Sequence, residues 1–272
     1  GGLNLLDLKA PRQILEVISS QTGGGFPINF IGVLNYDPIN EGIWIGANQG
    51  LYFYDPVKKE ITAPLPDKAA ENIHGCIGSI IDKEGKLWVG CLEGVYIIDL
   101  HSRSSKGEFQ YRHLNYKLDD PSSRLIEKIT CFYQGKDGTL WLGSNGYQRK
   151  IDAQGKEQFI SYSTAQGLPN NSVRGILEDN NGNLWISTNN GLSCYHQAEN
   201  RFINYTIQDG LIDTQFYWNA SCGSSHDLLY FGSVGGLVAI ESNRPAMSLP
   251  AAKVRFTRLR IGNEEILPGS EY

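Results

Sequence analysis

Arg174-Gly175-Ile176-Leu177-Glu178-Asp179, Asn180-Asn181-Gly182-Asn183, Leu184-Trp185-Ile186-Ser187-Thr188, Asn189-Asn190-Gly191, Leu192-Ser193-Cys194-Tyr195 is the stretch that decides how this chain folds. Short apolar runs, rich in β-branched and aromatic residues, are separated by clusters of Asn, Asp and Gly. Such runs read as strands joined by tight turns. A further run, Arg201-Phe202-Ile203-Asn204-Tyr205, supplies a fourth strand. No segment carries a sustained helical period with caps. Four sequential strands predict one antiparallel sheet.

The middle of that stretch returns along the chain. Ile43-Trp44-Ile45-Gly46, Leu87-Trp88-Val89-Gly90, Leu140-Trp141-Leu142-Gly143, Leu184-Trp185-Ile186-Ser187 and Leu229-Tyr230-Phe231-Gly232 set an aromatic at spacings of 44, 53, 44 and 45 residues. A period in this range marks a repeat architecture. Gly85, Gly138 and Gly182 stand three residues before their Trp, in Xaa-Gly pairs that suit tight hairpins. Small residues, Gly78, Cys131, Gly175 and Ala220, stand ten residues before the aromatic, as strands converging on a crowded axis require. A Trp buries roughly 150–250 Å², and each one here is flanked by apolar residues on both sides. A strand with no polar face has neighbours over both faces. The expected fold is all-β: a β-propeller of four-stranded antiparallel blades. It is expected as a partial array, about five full blades plus leftover strands, truncated at both ends. Gly1-Gly2-Leu3-Asn4-Leu5-Leu6-Asp7 reads as the third strand of a blade whose first two are missing.

Composition narrows the function. The 272 residues carry a formal net charge of −5 and no polybasic run, so there is no electrostatic footprint for nucleic acid. No stretch approaches the roughly 18 apolar residues of a membrane helix. Cys76, Cys91, Cys131, Cys194 and Cys222 are odd in number and lack metal-ligand spacing; they read as small buried hydrophobes. The histidines, His74, His101, His113, His196 and His226, are scattered among repeats. No zinc-protease helix, phosphate-cradling glycine loop or dinucleotide fingerprint occurs. Asp82, Asp137 and Asp179 recur near the first hairpin and read as turn residues. The reading is therefore a non-enzymatic chain with no cofactor, no metal and no catalytic residue.

The run from Gly167 to Leu192 closely resembles the two-component regulator propeller repeat, and the likeness recurs in all five repeats over most of residues 1–242. The stretch 209–237, with Leu229-Tyr230-Phe231-Gly232, resembles the last repeat of such an array. A Pro-containing linker, 243–251, leads to Ala252-Lys253-Val254-Arg255-Phe256-Thr257-Arg258-Leu259-Arg260-Ile261. This resembles the opening of the immunoglobulin-like three-Tyr (Y_Y_Y) domain, of which 252–272 would be the first strand and turn. The resemblance implies the periplasmic sensor region of a hybrid two-component system or sensor kinase, anchored elsewhere in the inner membrane. It also implies an oligosaccharide as ligand, a homodimeric parent, and kinase parts outside this chain. There are departures. The repeat at Trp141 carries its turn glycine, Gly146, one position early, and its extra length falls in His101–Gly107 and Leu118–Arg124. Irregular loops of this kind are where specificity is expected.

In a propeller the loops leading into the innermost strands share one face with those joining second to third strands. Here the first set brings Asn72, His74, Arg124, Asn171, Arg174, Tyr217 and Trp218; the second brings Asn48 and Asn189. Amides, guanidinium and aromatic faces are the groups that bind sugars in a concave site. The asparagines also sit beside turn glycines, where Asn is favoured for conformational reasons alone. The alternatives are a protein-interaction or dimerisation scaffold without a small ligand, and a propeller lyase needing a metal and a His or carboxylate cluster.

Overall fold

The computed structural model describes residues 3–6, 9, 14–18, 30–66, 69, 73–115, 128–144, 146–153, 156–224, 228–241, 259–261 and 264–266. A hairpin of β1 (Leu3–Leu6) and β2 (Ile14–Ile18) comes first. The first blade is β3 (Ile31–Asp37), β4 (Gly42–Ala47), β5 (Gly50–Asp55) and β6 (Glu60–Thr62). The second is β7 (Gly78–Ile81), β8 (Lys86–Cys91), β9 (Gly94–Asp99) and β10 (Tyr111–Asn115). The third is β11 (Cys131–Gln134), β12 (Leu140–Ser144), β13 (Gly146–Ala153) and β14 (Lys156–Tyr162). The fourth is β15 (Val173–Glu178), β16 (Leu184–Thr188), β17 (Gly191–His196) and β18 (Arg201–Tyr205). The fifth has three described strands, β19 (Phe216–Gly223), β20 (Leu228–Ser233) and β21 (Gly236–Glu241). Within every blade the strands pair in chain order and antiparallel. This is the partial propeller-like array of four-stranded blades that the repeat predicts. Residues 243–272 form a separate unit, where β22 (Leu259–Ile261) pairs with β23 (Glu264–Ile266). Residues 252–258 of the expected first three-Tyr strand lie outside the described residues.

The second strand of each blade explains the apolar neighbours of each Trp. Trp44 packs with Leu87, Val89 and Tyr96 of the second blade. Trp88 packs with Ile129, Phe132, Leu140 and Leu142 of the third. Trp141 packs with Val173, Leu184 and Ile186 of the fourth, and Trp185 with Phe216, Leu229 and Phe231 of the fifth. Each Trp therefore fills the seam towards the following blade, while the residues on either side of it fill the seam behind. Ile43 and Ile45 of the first blade pack with Leu3 of β1. Tyr230 departs from the pattern and is only half-buried. It has the Trp position of the last blade, and among the described residues no further blade stands beyond it.

An aspartate anchors three of the indoles. Asp37, Asp82 and Asp179 each accept a bond from the Nε1 of Trp44, Trp88 and Trp185, at 3.0, 2.7 and 3.1 Å. The other carboxylate oxygen of Asp179 accepts from the backbone N–H of Asn181 and Asn183, so one carboxylate ties hairpin to wedge. In the third blade Gly135 occupies the equivalent position. Lysines latch blade to blade on the same side. Lys83 Nζ donates to the carbonyls of Gly135 and Lys136, and Lys136 Nζ to Asn180 Oδ1.

Gly90 shows why the seams demand small residues. A Cβ there would lie 2.4 Å from the backbone oxygen of Ile129 in the next blade. Gly90→Ala is expected to lower unfolding free energy by about 1–3 kcal/mol, the usual range for overpacking. A denaturant midpoint unchanged from the parent would contradict that close approach.

Candidate functional site

Two sets of loops meet on one face and are laced together by backbone bonds. Within blades, the N–H groups of Leu92, Asn189 and Val234 donate to the carbonyls of His74, Ser172 and Gln215 at 3.0, 3.0 and 2.9 Å. Between blades, Gly75 N–H donates to Asn48 O at 3.0 Å and Gly191 N–H to Thr214 O at 2.7 Å. The backbone of these turns is thus held in place around the inner strands.

A cleft of about 220 Å³ opens there between the fourth and fifth blades, lined by Arg174, Asn189, Gln215, Tyr217 and Trp218 among others. Its walls follow from a bulge. In β19, Phe216 pairs with Ser233 but the ladder resumes only at Ser221 opposite Phe231. Such a bulge re-aims side chains. Phe216 drops into the core while Tyr217 and Trp218 stay 58% and 50% exposed, and Asn219 takes a φ of +52°. Arg174, on the inner strand β15, lies over the Trp218 indole at 4.7 Å from the ring centroid. Its Nη2 donates to Asn189 Oδ1 at 3.1 Å, and Gln215 Nε2 donates to the same oxygen at 3.2 Å. Arg174 Nε is buried and has no hydrogen-bond partner. Burial lowers the pKa of this guanidinium, yet an Arg remains protonated in proteins.

Trp218 also forms part of a second cleft, of about 320 Å³. Phe30, Ile31, Ile77 and Leu92 give it an apolar wall; Asn48 and Lys128 stand at its polar side. The two clefts adjoin through the one indole.

Of the residues singled out in the sequence, Arg174, Asn189, Tyr217 and Trp218 come together in the first cleft, and Asn48 lines the second. Asn171 turns elsewhere: its Oδ1 accepts from Thr164 N–H at 2.7 Å and holds the connection ahead of β15. His74 is exposed and pairs with Glu93, Nδ1 to Oε1 at 2.9 Å. Asn72 and Arg124 lie outside the described residues. Lys128, Phe30 and Leu92 were not singled out. A positional signal existed for one of them, since Phe30, His74 and Asn171 each stand 14 residues before their Trp. Nucleophilic thiols are not on offer in the core, because burial pushes Cys76, Cys131 and Cys194 up to about 12 and a thiol rather than a thiolate then prevails at neutral pH. Cys222 is exposed. Among the described residues no group of three or more His, Cys, Asp or Glu is placed to hold a metal, and no helix is long and apolar enough to cross a membrane.

Comparison with known proteins concerns the repeat and the fold. Residues 125–146 and 167–190 match the family Two component regulator propeller. Histidine kinase P4 of Formosa agariphila is 26% identical over 199 residues, covering 70% of this chain and 14% of the kinase. Among solved structures, the extracellular domain assigned to the hybrid two component system BT3049 of B. thetaiotaomicron superposes with a TM-score of 0.71. It is 22% identical, and the match covers 96% of this chain and 36% of that one. PorZ, a surface component of the type-IX secretion system of Porphyromonas gingivalis, gives a TM-score of 0.66 at 15% identity, covering 88% of this chain and 36% of its own. The chain therefore spans about a third or less of the length of these relatives. At such identities the two solved structures speak for the fold.

Proposed function

We propose that this chain is a ligand-binding sensor segment from the extracytoplasmic, periplasmic part of a two-component signalling protein, and that its ligand is an oligosaccharide. The observation that carries the reading is the first cleft. A stacked Arg174–Trp218 pair, Asn189, Gln215 and an exposed Tyr217 converge in a concavity on the loop face. Exposed aromatic faces with fixed amide and guanidinium donors suit sugar rings and their hydroxyls. The match to the regulator propeller family and the likeness to a histidine kinase and to the extracellular domain of a two component system support a signalling context. A bound ligand would bias the parent's signalling state only by its differential affinity for the two arrangements.

Calorimetric titration with a panel of oligosaccharides tests the binding step. A hit is expected to weaken by about tenfold or more in Arg174→Ala and in Trp218→Ala, the scale of a charge-assisted hydrogen bond or a desolvated stacking contact. Binding indifferent to both substitutions would move the ligand away from this cleft. A dimerisation scaffold is the second reading. The fifth blade favours it, for Leu237 is 65% exposed on β21, the edge strand of that blade among the described residues. Concentration-dependent light scattering, abolished by Leu237→Asp, would support that role.

A further inference from the structure

We infer that the ligand of this face is an acidic sugar, whose carboxylate or sulfate group is recognised by Arg174 with Lys128 as a second cation. The inference rests on the ligand-binding reading above and narrows its chemistry. The chain as a whole is acidic, with 29 Asp and Glu against 24 Lys and Arg. The two clefts reverse that balance. Among the described residues, Arg174 and Lys128 line them, and no Asp or Glu does. Among the described residues, two carboxylates near the lining in sequence face protein donors: Asp213 accepts from Gln215 N–H, and Glu93 is bound to His74.

Hydrogen-bond capacity points the same way. A guanidinium only donates, so the Asn189 atom facing Arg174 is its oxygen. Gln215 reaches that same oxygen and must therefore present its amide nitrogen. Asn189 Oδ1 has thus spent both lone pairs on protein donors. Further donors remain: the Asn189 amide nitrogen, the second Gln215 N–H and the Lys128 ammonium, while the Nε–H of Arg174 is buried and unpartnered; the acceptors of the lining side chains are amide and phenol oxygens, none of them charged. Two cations with no acid among the described lining residues are matched by an anionic group, and an oxyanion is the densest set of acceptors a sugar can carry. Trp218, exposed and shared by both clefts, offers the ring face beside it.

The test is nuclear magnetic resonance of the 272-residue chain, following the Arg Nε–H and Trp indole N–H signals. The probes are D-glucuronate, glucose 6-sulfate, D-glucose and inorganic sulfate, added at matched concentration and ionic strength. The expected result is a saturable shift of the Arg174 and Trp218 signals with glucuronate or the sulfate ester. Which of the two binds more tightly separates a carboxylate from a sulfate ligand. Glucose is expected to bind about tenfold more weakly or not at all. Lys128 is exposed, so Lys128→Gln leaves the fold intact and is expected to weaken the anionic sugars several-fold while sparing glucose. Arg174→Gln is expected to remove their response. Glucose binding as well as the acids would overturn the anionic assignment while leaving a sugar site in place. A response to inorganic sulfate alone, or to no probe, would overturn it as well. The sensor reading is judged separately by the full-length signalling response.

Discussion

Trp88→Ala is expected to cost about 3–5 kcal/mol, the range for truncating a buried Trp. Trp88 is among the largest fully buried side chains of the protein. It closes the seam between the second and third blades, against Ile129, Phe132, Leu140 and Leu142. The substitution would open a cavity in mid-array, where strands on both sides are held by backbone ladders and cannot collapse onto it. It would also strip Asp82 of its indole donor, although the Glu84 and Lys86 N–H bonds to that carboxylate survive. A domain typically has about 5–15 kcal/mol of stability to lose, so the variant should unfold at much lower denaturant. Tyr230→Ala is the control. The same repeat position is half-exposed there, and its cost is expected to be about 1 kcal/mol, typical of an ordinary substitution. Equal losses at the two positions would refute the idea that these aromatics are wedges between blades.

Asp37→Ala is expected to cost about 3–4 kcal/mol, because buried donors left without a charged acceptor are expensive. Asp37 is fully buried. Its Oδ1 accepts from the N–H of Ile39 and Asn40 at 2.9 and 3.0 Å. Its Oδ2 accepts from Asn40 Nδ2 at 2.9 Å and Trp44 Nε1 at 3.0 Å. Asn40 Nδ2 also reaches Leu100 O of the second blade at 2.9 Å, so the loss spreads across a seam. All four groups facing the carboxylate donate. Asp37→Asn should therefore give back little, since one of its two ends would set an NH₂ against N–H donors. Chemical unfolding of both variants measures this. A loss below about 1 kcal/mol for Ala, or full recovery by Asn, would show that the carboxylate is not the anchor.

Much of the fold was legible in the sequence because its signals are local or periodic. The glycines at 85, 138 and 182 do adopt positive φ, from +74° to +86°, as their Xaa-Gly turns require. The Trp positions read correctly as seam residues wherever a following blade is described. Tyr230 misled because the sequence pattern names a position, whereas burial depends on what stands opposite. The Asp–Trp bonds were half visible: Asp82 and Asp179 read as turn residues, but the reach of the second carboxylate oxygen to the indole is a matter of three dimensions. The site was harder. Arg174, Asn189 and Trp218 meet only because two blades dock and a bulge in β19 turns Trp218 outward, and no spacing along the chain encodes that. Asn171 looked like Asn189 in sequence, yet its oxygen serves a neighbouring 3-10 turn over Thr164–Gln166. Lys128 and Leu92 were invisible as partners of Trp218 because they come from different repeats.

The most direct test of the account is the signalling response of the full-length parent protein to the oligosaccharide that binds this chain, compared between the parent and a variant carrying Trp218→Ala and Lys128→Gln. Both positions are exposed, so the variant should fold and be produced normally. Autophosphorylation that rises with ligand in the parent and stays at its basal level in the variant is the predicted result. An undiminished rise in the variant would contradict the assignment of this loop face as the sensing site.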